Sequence, residues 1–143
     1  MSEDTRVRYG WLRFMYAYTI IGAGAMGLAL IVAPSAVISA FRWPEQDPVV
    51  MGVTASVYLA FGVLSVFGLR DPLKFAPVLC LQLFYKCLWM IGIVLPLVAV
   101  GQLPAHGLVF AAIFATYIIG DLIAIPFARI FRSEAVPAHP EEA

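Results

Sequence analysis

Four long runs of apolar residues constrain this chain more than any other feature of its sequence. The first two, residues 14–41 and 48–69, contain no charged residue, and the other two are interrupted only by Lys86 and Asp121. Each run holds roughly 20–25 residues that could form a helix across about 30 Å of hydrocarbon. None of the runs alternates apolar and polar residues over the length of a strand. The sequence therefore predicts an all-α, integral membrane four-helix bundle.

The predicted spans lie at residues 11–33, 49–69, 76–100 and 107–131. Residues 1–132 are expected to form a single domain around them. The segment 133–143 is rich in proline and glutamate, so we predict a disordered cytoplasmic tail there. The first apolar run is too long for a cleavable signal peptide and three more follow it, so we expect it to remain as the first span.

The overall composition agrees with a lipid environment. Apolar residues make up 62% of the chain and charged residues 13%, with a mean hydropathy of +0.91. Ordinary soluble domains have roughly 45–50% apolar and about 25% charged residues. A small soluble domain leaves much of its surface exposed to water and could not bury this much apolar area. The formal net charge is zero, so no nucleic-acid partner is expected.

The basic residues predict the orientation of the spans, because Lys and Arg accumulate in cytoplasmic loops. Those on the N-terminal flank, in the second loop and after the last span are Arg6, Arg8, Arg13, Arg70, Lys74, Arg129 and Arg132. The first loop contributes only Arg42, and the third loop has no Lys or Arg. We therefore predict that both termini are cytoplasmic. A multi-pass protein of the plasma (bacterial inner) membrane fits this pattern.

The first outer loop is the longest and is predicted to contain a short interfacial segment. Ser35 could cap a helix there, with Val37, Ile38 and Phe41 on one side. Trp43 would then lie at the depth of the lipid headgroups. A lid over a cavity is the alternative interpretation.

Residues 20–27 match the G-x-G-x-x-G dinucleotide fingerprint letter for letter. That fingerprint has meaning only between a strand and a helix of a βαβ unit, and here it lies in the middle of an uncharged span. Small residues instead let two membrane helices approach closely. We therefore interpret Gly22, Gly24 and Gly27 as a thin helix surface against which a neighbour packs.

Lys86 and Asp121 are the charged residues in the interior of the spans, since Arg13 and Arg129 lie at span ends. Counted from the cytoplasmic ends of their helices, both lie roughly 14–17 Å deep, near the centre of the bilayer. Helices joined by a short loop are antiparallel neighbours, so the two charges are predicted to lie level. An unpaired charge at this depth costs from about 2.5 to over 10 kcal/mol. We therefore expect them to pair inside the bundle.

Helical spacing places other side chains beside these charges, since Gln82 lies one turn before Lys86 and Tyr117 one turn before Asp121. The predicted ligand-binding site or polar core comprises Lys86, Asp121, Gln82, Tyr117, Tyr58 and Trp89. Two interpretations remain open. The ion pair could serve only to fix the register of two helices. Alternatively, an intramembrane ionisable cluster marks a proton path or a ligand site.

Three classes of function are consistent with these features. The first is a carrier or binding protein for a small or lipophilic ligand, using the Lys–Asp site at the membrane centre. The second is a non-catalytic accessory or assembly subunit of a larger membrane complex, against which a lone monomer or a homo-oligomer would argue. A homo-oligomer or a membrane-complex partner is possible besides the lipid bilayer. The third, which the sequence favours least, is a membrane enzyme acting on a lipid or isoprenoid. No catalytic set, metal site or cofactor is predicted, because no histidine lies in a span and Cys80 and Cys87 lack the Cys-x-x-Cys spacing.

Overall fold

The structure is a computed structural model that describes residues 7–132. It contains α1 (Tyr9–Val32), α2 (Pro34–Phe41), α3 (Pro48–Arg70), α4 (Ala76–Ala99), α5 (Ala105–Ala124) and α6 (Phe127–Ile130). Four of these, α1, α3, α4 and α5, are long and apolar enough to cross a membrane. An all-helical membrane bundle is thereby confirmed for the described residues, which form no strand. The predicted disordered tail at 133–143 lies outside them.

The four long helices pack in the order α3, α1, α5, α4. Helix α3 contacts α1 along its whole length, α1 also contacts α5, and α5 contacts α4. The main contacts between α4 and α3 come from the first part of α4, Ala76–Trp89. We call the end with residues 7–8, 71–75 and 125–132 the terminal end. The end with residues 33–47 and 100–104 is the loop end.

Glycines on α1 allow its backbone to touch that of α3. A Cβ built on Gly24 would lie 3.0 Å from the Gly62 Cα, and one on Gly27 would collide with backbone atoms of Ala55, Tyr58 and Leu59. The fingerprint-like glycines therefore serve helix packing, as predicted for Gly24 and Gly27. Gly22 instead faces the Tyr117 side chain on α5.

Two helices contain a π-turn within the span. In α1 it covers Ile20–Gly24, and in α4 it covers Met90–Val94. The second ends two residues before Pro96, which has no N–H to donate to the preceding turn. Helix α4 nevertheless continues to Ala99. A π-turn inserts one extra residue into a helix and is frequent at functional sites.

Helix α5 ends earlier than the predicted boundary at residue 131. It stops at Ala124, and Ile125 has an extended backbone with φ −74° and ψ 123°. Pro126 explains the difference, because the residue before a proline is pushed out of the helical region. Four residues after Pro126 form the separate helix α6.

The first loop contains a helix, α2, close to the predicted position. Pro34 occupies its first turn, and no side chain caps its N-terminus, so the predicted Ser35 cap is wrong. Arg42 ends the helix in a left-handed conformation with φ 52°. An interfacial location of this helix stays a prediction.

The glycine contacts lead to a stability prediction. Replacing Gly27 with Ala should lower the free energy of unfolding by about 1–3 kcal/mol, because the new methyl group overpacks the α3 backbone. The control is Gly52→Ala on α3, where an added Cβ meets nothing within 4 Å. There the higher helix propensity of alanine should leave stability unchanged or raised by about 0.5–1 kcal/mol. Unfolding in mild detergent, followed by circular dichroism, measures both. Equal stability of the two variants would contradict close packing of α1 on α3.

Candidate functional site

Lys86 lies in α4 and is almost completely buried, with 1% of its surface exposed. Its Nζ donates a hydrogen bond of 2.8 Å to the Tyr85 hydroxyl. The same nitrogen lies 4.5 Å from the ring centre of Tyr85, 5.0 Å from that of Phe114 and 4.2 Å from that of Tyr117. Aromatic faces attract a cation within about 6 Å. Lys86 is thus surrounded by three rings and one hydroxyl, which we call the aromatic box.

Asp121 belongs to a separate network. Gln82 Nε2 lies 3.2 Å from the Asp121 Oδ2 and donates to it, and it also lies 3.1 Å from the Thr19 hydroxyl. The Thr19 hydroxyl in turn lies 2.8 Å from the Met15 carbonyl oxygen. Thr19, Gln82 and Asp121 are each 0% exposed. These three side chains come from α1, α4 and α5, so the network joins three of the four spans.

The expected direct pairing of Lys86 with Asp121 does not occur. Among residues 7–132 no hydrogen bond or ion pair joins them, and Asp121 Oδ1 has no hydrogen-bond partner. Lys86 lies 13 residues before the end of α4, whereas Asp121 lies 16 residues after the start of α5. That difference is nearly one helical turn. Gln82 is therefore the residue level with Asp121.

A cavity of about 590 Å³ opens at the loop end, and we call it the loop-end cavity. It is lined by Leu30, Trp43, Gln46, Met51, Val53, Thr54, Val57, Tyr58, Tyr85, Trp89, Ile93, Leu97, Leu103, Pro104, His106, Gly107, Phe110 and Phe114. These residues come mainly from the loop-end halves of α3, α4 and α5. The cavity exists because α3 stays on α1 while its main contacts with α4 lie nearer the terminal end.

Aromatic side chains form both ends of the loop-end cavity. Towards the loops, the rings of Trp43 and Phe110 lie 5.4 Å apart, which brings the first loop against α5. Towards the membrane centre, Tyr85 and Phe114 line the cavity and also form part of the aromatic box. Lys86 therefore lies directly behind the inner end of the cavity.

The predicted site residues fall into three groups, of which the aromatic box with Lys86 and Tyr117 is one. Tyr58 and Trp89 line the loop-end cavity, whereas Gln82 and Asp121 belong to the buried network. The Tyr117 hydroxyl does not reach a charged group, because it donates to the Tyr18 carbonyl oxygen at 3.1 Å. Its ring nevertheless forms one wall of the aromatic box.

Several residues of the site were not predicted from the sequence. Tyr85 precedes Lys86 in the chain and accepts its hydrogen bond. On α5, Phe110, Phe114 and Tyr117 recur at the spacing of one helix face, and this repeat could have identified the aromatic wall. Trp43 has no such signal, since its place depends on the fold of the first loop.

No group of three or more His, Cys, Asp or Glu side chains that could hold a metal ion occurs within residues 7–132. Cys80 and Cys87 are free thiols of intermediate burial. The polar chemistry of the described bundle thus rests on Lys86, Asp121 and their neutral neighbours.

The buried network gives a second stability prediction. Gln82→Leu leaves the Asp121 carboxylate buried without its hydrogen-bond donor, so the free energy of unfolding should fall by about 1–3 kcal/mol. Adding Asp121→Leu should recover part of the loss, because removing both partners of a buried hydrogen bond can be nearly neutral. Unfolding in detergent measures both variants, with Gln102→Leu in the exposed third loop as the control. A double variant less stable than Gln82→Leu would contradict this account of the network.

Comparison of the chain with protein-family models, with curated proteins and with solved structures finds no match.

Proposed function

We propose that this multi-pass membrane protein is a carrier or binding protein for a small lipophilic ligand, and that the loop-end cavity is its binding site. The observation that carries the proposal is the cavity itself, about 590 Å³ in volume and lined mainly by apolar and aromatic side chains from α3, α4 and α5. Ligand sites typically have about 300–1,000 Å³ and a mostly apolar lining with a few polar groups.

The lining supports a lipophilic ligand. Aliphatic side chains such as Val57 and Ile93 line the cavity together with aromatic side chains such as Trp89 and Phe110. Polar lining groups are few; Gln46 lies in the first loop and His106 in the first turn of α5. An apolar molecule would therefore exchange a lipid environment for a cavity of similar polarity, with shape and the few polar groups providing selectivity.

Different parts of the bundle hold the helices together and line the cavity. The network of Thr19, Gln82 and Asp121 joins three helices on the terminal side of the cavity. The glycine contacts hold α1 against α3. The π-turn Met90–Val94 lies in the wall that α4 contributes. If both termini are cytoplasmic, as the basic residues predict, the cavity lies in the outer half of the membrane. A ligand would then enter from the outer leaflet or from the outer aqueous side.

A cavity-filling variant tests the proposal. Val53 and Val57 both line the cavity, and Val53→Phe/Val57→Phe should occupy part of its volume. The protein is purified in mild detergent, extracted with organic solvent and analysed by mass spectrometry. We expect one lipophilic compound near one molecule per chain in the unaltered protein. The filled variant should retain at most about a tenth of that, because the ligand could enter the reduced cavity only by overpacking it.

The matched control is Val63→Phe/Val66→Phe, on the same helix but outside the cavity lining. These valines are 50% and 44% exposed, so the control should retain the compound. Bulk phospholipid in equal proportion in all three proteins would contradict the proposal. A second protein at a constant ratio, with no lipophile, would instead support an accessory subunit.

A further inference from the structure

Tyr85 connects the loop-end cavity to Lys86. Its ring lines the cavity, and its hydroxyl oxygen accepts the hydrogen bond from the Lys86 Nζ at 2.8 Å. A phenol has one hydrogen to donate besides the lone pairs that accept. No other hydrogen bond of the Tyr85 hydroxyl occurs among residues 7–132, so this hydrogen is free for a ligand. A donor that itself accepts from an ammonium group is polarised, which strengthens its hydrogen bond to an acceptor.

No carboxylate among the described residues is hydrogen-bonded to Lys86 or in direct ion-pair contact with it. Its nitrogen contacts one hydroxyl and three ring faces, and the nearest candidate counter-ion, Asp121, is instead bonded to Gln82. A cation buried without a counter-ion is costly at the centre of a membrane. The lining of the cavity contains no acidic residue. A carboxylate that entered from the cavity would therefore be the first to pair directly with Lys86.

These observations select one class of ligand headgroup. We propose that the loop-end cavity binds a lipophilic carboxylate, whose headgroup accepts a hydrogen bond from Tyr85 and compensates the charge of Lys86 behind it. The inference rests on the proposed function of the cavity and specifies the ligand. A lipophilic amine fits poorly, because the aromatic box that would attract a cation already contains Lys86.

Paired probes of equal chain length test the headgroup. Dibromostearate, its methyl ester and the matching dibrominated amine are each titrated against the full chain in nanodiscs of neutral phosphatidylcholine. The chain contains three tryptophans. A Trp11→Phe background leaves Trp43 and Trp89, both in the cavity lining, so that bromine quenching reports occupancy. Subtracting the signal of the Val53→Phe/Val57→Phe variant isolates binding in the cavity.

We expect dibromostearate to bind about tenfold or more tightly than its ester, because a hydrogen bond to a charged group is stronger than one to a neutral group. Tyr85→Phe should reduce that preference to less than about threefold, since the acid loses a stronger hydrogen bond than the ester does. Tyr9→Phe, at the terminal end and 46% exposed, is the matched control and should keep the full preference. Tyr85→Phe preserves the ring, so it tests the proposal even if Lys86→Met fails to fold.

Three results would overturn the carboxylate assignment while leaving the proposed function intact. They are equal saturable binding of acid and ester, tighter binding of the amine, or a preference for the acid that is lost in His106→Ala but retained in Tyr85→Phe. The last result would place the headgroup at the loops instead. If no probe quenches more than in the filled variant, the proposed function itself fails.

Discussion

The side chain of Gln82 is the connection on which the arrangement of the bundle depends. It bridges Thr19 and Asp121 and so joins α4 to α1 and α5 through groups that are completely buried. In hydrocarbon surroundings an unsatisfied polar group costs several kcal/mol, so this bridge strongly favours one register of the three helices. Once Gln82 is level with Asp121, Lys86 lies one turn nearer the loop end. Its environment there is aromatic rather than acidic.

The remaining span, α3, is held by a different interaction. Helix α3 approaches α1 so closely at Gly24 and Gly27 that no other residue fits without movement. This backbone contact follows α1, whereas the main contacts of α3 with α4 are limited to the Ala76–Trp89 part of α4. The two helices consequently separate towards the loop end. The cavity results from this separation. The half of the bundle towards the terminal end is polar and closed, and the half towards the loop end is apolar and open.

Much of the fold could be predicted from the sequence, because lipid requires long uncharged helices and small residues where helices touch. The four spans and the packing glycines Gly24 and Gly27 were identified in this way. The pairing of Lys86 with Asp121 could not be predicted correctly, because counting residues to a loop leaves an error of about one turn. The cavity was also beyond prediction, since it depends on how α3 and α4 diverge. Tyr58 and Trp89 line it, but Tyr85 was not identified because adjacent helical residues were not expected to act together.

The position of the Lys86 side chain in a lipid environment tests the central claim most directly, namely that Lys86 belongs to the cavity and not to Asp121. An experimental structure in nanodiscs would measure the distances from its Nζ to the Tyr85 hydroxyl and to the Asp121 carboxylate. We predict a hydrogen bond to Tyr85, a carboxylate bonded to Gln82, and elongated density in the loop-end cavity. A Lys86–Asp121 separation within about 4 Å, together with α3 and α4 closed against each other, would contradict that claim.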